Sequence, residues 1–70
     1  MKKYHIDISR SELNALIDEW IFNERDRAIV KRRLLDGICY EPLAEEFDLS
    51  VRHVKTIVYK AEQKIVQKIK

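Results

Sequence analysis

A single glycine, a single proline and a single cysteine occur in the 70 residues of this chain. Hairpins and long irregular loops draw on glycine and proline for their backbone conformations, so the scarcity of both points to a helical protein. Cys39 alone cannot form an internal disulfide, and a lone thiol is unremarkable in a reducing compartment. No apolar run reaches the length of a membrane span, and Met1-Lys2-Lys3 is not followed by the unbroken apolar stretch of a signal peptide. A cytoplasmic location without a membrane partner is the expectation. Glycine-rich phosphate loops and nucleophile motifs are missing too, and a core this small cannot line a concave reaction site. The chain is therefore not expected to be an enzyme. Cys39, His5 and His53 are too scattered for metal-ligand spacing, so neither a metal nor another cofactor is expected.

What is present is apolar and charged material in quantity. Apolar residues make up 46% of the chain and charged residues 37%, enough for a core inside a well-solvated surface. The length suits one domain, residues 1–70, with little stability to spare. The formal charge of +2 conceals an uneven distribution. Residues 1–50 carry eight Lys and Arg against eleven Asp and Glu, a net of −3, whereas residues 51–70 carry six against one, a net of +5. A basic segment on an acidic body suits a polyanion approached from one side, although Lys-rich helices that only solubilise are common.

Cap chemistry and apolar spacing predict four helices, at about residues 10–21, 24–35, 41–47 and 51–69. Ser9-Arg10-Ser11-Glu12 has the form of a capping box, with Ile8 and Leu13 placed for a hydrophobic staple. Leu13, Leu16, Ile17, Trp20 and Ile21 then recur at helical spacing. Tyr4, Ile6 and Ile8 alternate with His5 and Asp7, which predicts a short extended segment lying against the helices. Asn23 is placed to cap a second helix, with Glu24 and Asp26 in its first turn and Asp36-Gly37 at its end. The break near Phe22 leaves a single bent helix as an alternative. Trp20 and Phe22 are both expected in the core. Glu41-Pro42 opens the third helix, and Leu43, Ala44 and Phe47 form its inner face. Asp48-Leu49-Ser50 interrupts the pattern, and Ser50 caps a fourth helix whose inner face is Val51, Val54, Val58, Ala61 and Ile65, with Ile57 at the edge. The expected fold is all-α, a tetrahelical helix-turn-helix bundle with a short extended N-terminal segment.

From about Arg25 to Ile65 the chain resembles the fourth conserved region of bacterial sigma factors and the related output domains of response regulators. The resemblance lies in a Gly, a small cap, a Glu-rich helix with an Ala, a turn and a Ser-Val-x-x-Val-Lys opening. The matching residues run from Gly37 through Leu43-Ala44-Glu45-Glu46-Phe47-Asp48-Leu49 to Ser50-Val51-Arg52-His53-Val54-Lys55, and the stretch from Leu43 onward is the more specific part. A side chain larger than Ala44 would push the two motif helices apart, and Leu49 is the turn residue expected to face the core. Cys39 stands where the family has Ser or Thr, a change that weakens the cap by about 1 kcal/mol. Asp48 stands where it has a turn Gly, and Asp tolerates the left-handed region better than most residues. The further domains with which full sigma factors grip the polymerase find no room in these 70 residues and are not expected.

The resemblance implies sequence-specific binding of double-stranded DNA and transcriptional regulation, and a stand-alone size fits a phage or mobile-element regulator. At about 100° per residue, Arg52, Thr56 and Tyr59 fall opposite the apolar face, with Lys55 beside them. They form a stripe in the first two turns, where a recognition helix reaches base edges. An ordinary solvent face has the same composition. Ser50, His53 and Lys60 complete the candidate DNA-binding set, with Lys31, Arg32 and Lys64 as candidate phosphate contacts. RNA polymerase and a second copy of the chain are further candidate partners. Ile65, Val66 and Ile69 extend past the motif and offer a dimer seam, unless Ile65 and Ile69 fold back onto Leu13, Leu16 and Ile17. The alternative functions are a protein-interaction adaptor, or a DNA-packaging or replication protein using the same motif.

Overall fold

Helix boundaries in this chain follow from side chains that serve orphan backbone groups. The computed structural model describes residues 8–69, and within them lie α1 (Arg10–Trp20), α2 (Glu24–Leu34), α3 (Tyr40–Phe47) and α4 (Val51–Ile69), with no strand among the described residues. The fold is an all-α, four-helix bundle. Of the extended segment, Tyr4 and Ile6 lie outside the described residues, while Ile8 packs half-buried on the core.

At the start of α1 the capping box is complete. Ser9 Oγ accepts from the Glu12 amide at 3.1 Å, and a Glu12 carboxylate oxygen accepts from the Ser9 amide at 3.4 Å. The helix ends at Trp20 because Ile21 turns to extended backbone. Asn23 Oδ1 then accepts from the Asp26 amide at 3.0 Å and starts α2. Arg27 fixes the link between them, donating from Nε to the Ile21 carbonyl at 3.1 Å and from Nη2 to the Phe22 carbonyl at 3.3 Å. Two helices form, not a single bent one.

Phe22 corrects the expectation of a core position, being 72% exposed, while Ile21 beside it is 8% exposed. Extended backbone sends successive side chains in opposite directions, so placing Ile21 inward turns Phe22 outward. Trp20 is partly buried.

The link from α2 to α3 uses the one glycine for its backbone freedom. Gly37 sits at φ +71 with open space where a Cβ would stand, so conformation and not crowding favours it there. Cys39 is the N-cap of α3 and makes no side-chain cap bond. Pro42, at the third helical position, has no amide to offer such a cap, so the loss expected from Cys39 is partly offset.

The core joins Leu13, Ile17 and Ile21 of α1 and its C-cap to Ile29 and Val30 of α2 and Leu43 and Ala44 of α3. From α4 it takes Val54, Ile57, Val58, Ala61 and Ile65, and α4 packs on all three other helices. Each fully buried Leu, Ile or Val contributes about 1.5–3 kcal/mol relative to exposure. Ile57, expected at the edge of this face, is buried. Ile65 is fully buried within this core, with α4 packed on α1, so its side chain folds back and is not available to a dimer seam. No polar or charged side chain is buried among the described residues.

Candidate nucleic-acid interface

Three residues separate α3 from α4, and each is set by a local contact. Asp48 adopts the left-handed region at φ 57 and ψ 45, and its amide donates to the carbonyls of Ala44 and Glu45. The Leu49 amide donates to the Ala44 carbonyl at 2.9 Å, and the Leu49 side chain packs half-buried on the core. Ser50 Oγ accepts from the His53 amide at 3.0 Å and caps α4. Ala44, 4% exposed, lies beneath the packing of α3 on α4. The arrangement is a short helix, a three-residue turn and a long helix with a basic outer face.

Burial divides α4 cleanly. Val54, Val58, Ala61 and Ile65 face inward, whereas Arg52, His53, Lys55, Thr56, Tyr59, Lys60 and Lys64 are exposed. The expected stripe Arg52, Lys55, Thr56, Tyr59 therefore lies together on the outer side of the first two turns. Thr56 Oγ1 donates to the Arg52 carbonyl at 3.0 Å. That bond occupies the hydroxyl proton, so Thr56 offers outward an acceptor lone pair and a methyl group. No Asp or Glu stands in the first turn of α4 to offset its cations.

The cations of α2 sit differently. Lys31 Nζ lies 2.7 Å from Asp18 of α1, and Arg32 Nε lies 2.8 Å from Glu46 of α3. Arg33 donates to the Ile38 carbonyl at 3.1 Å, and its guanidinium lies 4.2 Å from the centre of the Tyr40 ring. Of the three candidate phosphate contacts, Lys31 and Arg32 thus have carboxylate partners within the fold. Lys64 has none among the described residues, and its ammonium lies 5.9 Å from the Phe22 ring.

No family model, curated protein or solved structure matches the chain.

Two residues at this surface were not among the candidate site residues. Tyr40 opens α3 and receives Lys55 at 5.6 Å on the ring that also carries Arg33. It therefore ties a cation of the outer stripe to the end of α2. An aromatic at the start of a helix between two basic segments is a weak hint, since only the packing decides which cations reach it. Phe22 is the other, displayed beside Lys64 in the link from α1 to α2. Among the described residues, no group of three or more His, Cys, Asp or Glu could hold a metal ion, and no helix is long and apolar enough to cross a membrane.

Proposed function

We propose that this chain is a DNA-binding regulator that reads double-stranded DNA through the outer face of α4. The observation that carries this reading is the exposed stripe Arg52, Lys55, Thr56, Tyr59 on the first two turns of a capped helix that follows a three-residue turn. An α-helix fits the major groove, and side chains near its start reach base edges. Arg52 suits a bidentate contact to guanine O6 and N7. Thr56, with its proton held by the Arg52 carbonyl, suits a thymine methyl or an amino group of a base. Ser50, His53, Lys60 and Lys64 flank the stripe and serve the phosphate backbone, where Lys55 joins them from its seat on Tyr40. The resemblance to the fourth region of sigma factors supports the same role and extends it to transcription in the cytoplasm, with RNA polymerase as a partner and a phage or mobile element as the setting. A second copy of the chain, bound at a paired half-site, is compatible with this mode only through surfaces other than Ile65.

The test begins with selection of duplexes from a random pool, followed by affinity measurements for the selected and a scrambled duplex at several salt concentrations. Arg52→Ala is expected to lose about 1–3 kcal/mol on the selected duplex and to narrow the gap to the scrambled one. Thr56→Ala narrows the same gap at a different base position. If both variants bind both duplexes as the parent does, or weaken both equally, α4 is not a reading helix. An enriched pool without a common sequence would instead favour a packaging or replication role.

A further inference from the structure

Phe22 is the most exposed large apolar side chain of the described residues, at 72%, and Tyr59 follows at 50%. Leaving a phenylalanine in water forgoes the stabilisation its burial would bring. Loose backbone does not account for its position. Arg27 holds the carbonyls of Ile21 and Phe22, and the Asn23 side chain caps the helix that follows directly. The ring is displayed from a fixed support, so little ordering entropy stands against using it as an anchor.

The surface beside it is a groove between the α1–α2 link and α4. Trp20, Phe22 and Ala61 supply apolar lining, and Lys60 and Lys64 supply charge along the α4 wall. Arg25 on the facing wall is compensated by Asp26 at 3.1 Å. Neither Lys60 nor Lys64 pairs with a carboxylate among the described residues. An apolar lining with a cationic wall favours one kind of occupant.

We propose that this groove docks an acidic protein segment, in which an aromatic or large aliphatic side chain covers Phe22 and flanking Asp or Glu residues meet Lys60 and Lys64. DNA is the weaker fit, since a phosphate backbone would meet the lysines but bury no apolar surface against the ring. A second copy would bring Phe22 itself with the exposed Glu24 two residues on, whereas the acids exposed on α3 (Glu41, Glu45 and Glu46) have no exposed large apolar neighbour on that helix, and Tyr59 stands on the basic stripe. A parent chain that sediments as a dimer, with a Phe22→Ala variant that sediments as a monomer, would overturn the proposal in favour of that occupant. The proposal does not depend on the DNA-reading role of α4. Phe22 serves the segment alone, whereas His53, Thr56, Lys60 and Lys64 line the groove where DNA and the segment would compete.

The experiment is selection of a random displayed peptide library on the immobilised full chain, followed by titration of the enriched peptides. Trp20, the one tryptophan of the chain, lines the groove and reports occupancy by fluorescence. Enriched peptides are expected to place acidic residues around an aromatic or large aliphatic one and to bind saturably. Phe22→Ala should weaken them about tenfold or more, in line with the loss of a central apolar anchor. Because the ring is exposed, this variant should keep the parent melting temperature. Lys60→Gln combined with Lys64→Gln should weaken them and flatten the salt dependence, while Arg52→Ala should leave peptide affinity unchanged. Absence of enrichment, enrichment without acidic residues, or equal binding to Phe22→Ala overturns the proposal. So does a Phe22→Ala variant that loses duplex affinity as much as peptide affinity, because the groove then belongs to the DNA footprint. A chain that binds the peptides and no duplex leaves this proposal standing and removes the DNA-reading one.

Discussion

The cations of α2 and those of α4 are similar in number and chemistry, yet the fold treats them in opposite ways. Lys31 and Arg32 reach carboxylates on α1 and α3, and Arg33 is held by the Ile38 carbonyl and the Tyr40 ring. On α4, Arg52, Lys55, Lys60 and Lys64 have no carboxylate partner among the described residues. Charge compensated inside the fold contributes to helix packing and projects little field. Charge without a counterpart projects into solvent and attracts a polyanion. Both helices carry several cations, so a count of cations does not show which are compensated within the fold.

The contrast depends first on α4 being pinned along its inner side, and the largest effect is expected there. Ile65→Ala should destabilise the domain by about 2–5 kcal/mol, measured by chemical denaturation, because the deleted methyl groups leave a cavity in a full core. A loss well below that range would mean the last turns of α4 are not fixed to α1. In that case Ile65 would be open to the dimer seam named with Val66 and Ile69, and truncation after Lys64 would test it.

Next in size is the contact that aims α4. Ala44→Leu should lose about 1–3 kcal/mol through overpacking between α3 and α4. The shift of α4 should also lower affinity for a selected duplex in whatever fraction stays folded. An unchanged melting temperature would place the crossing of these helices elsewhere.

The smallest effects sharpen the contrast most directly. Lys64→Ala should weaken all duplexes alike and reduce the slope of log affinity against log salt by about 0.9, the share of one phosphate contact, with no change in stability. Lys31→Ala should do the reverse. It should leave the slope alone and lower stability by about 0.2–1 kcal/mol, the usual range for a surface pair such as that with Asp18. Equal salt slopes for the two variants would dissolve the distinction between compensated and uncompensated cations.

Most of the architecture was legible from residues close together in the chain. Ser9 with Glu12, Asn23 with Asp26 and Ser50 with His53 each join groups three positions apart, and a cap acts on the turn that contains it. The boundaries at Trp20, Leu34 and Tyr40 differ from expectation by one residue, because apolar periodicity does not distinguish the last helical residue from its cap. The apolar face of α4 and the exposed stripe opposite it follow from the same helical period. Only the tertiary structure decided what depends on which helices meet. It sent Phe22 outward once Ile21 was drawn into the core, paired Lys31 and Arg32 with acids on two other helices, and brought Arg33 and Lys55 to opposite ends of one contact through Tyr40. Caps and periodicity are properties of a single helix, determined by a few neighbouring residues. The exposure of an aromatic ring and the neutralisation of a charge are properties of packing, determined by residues distant in the chain.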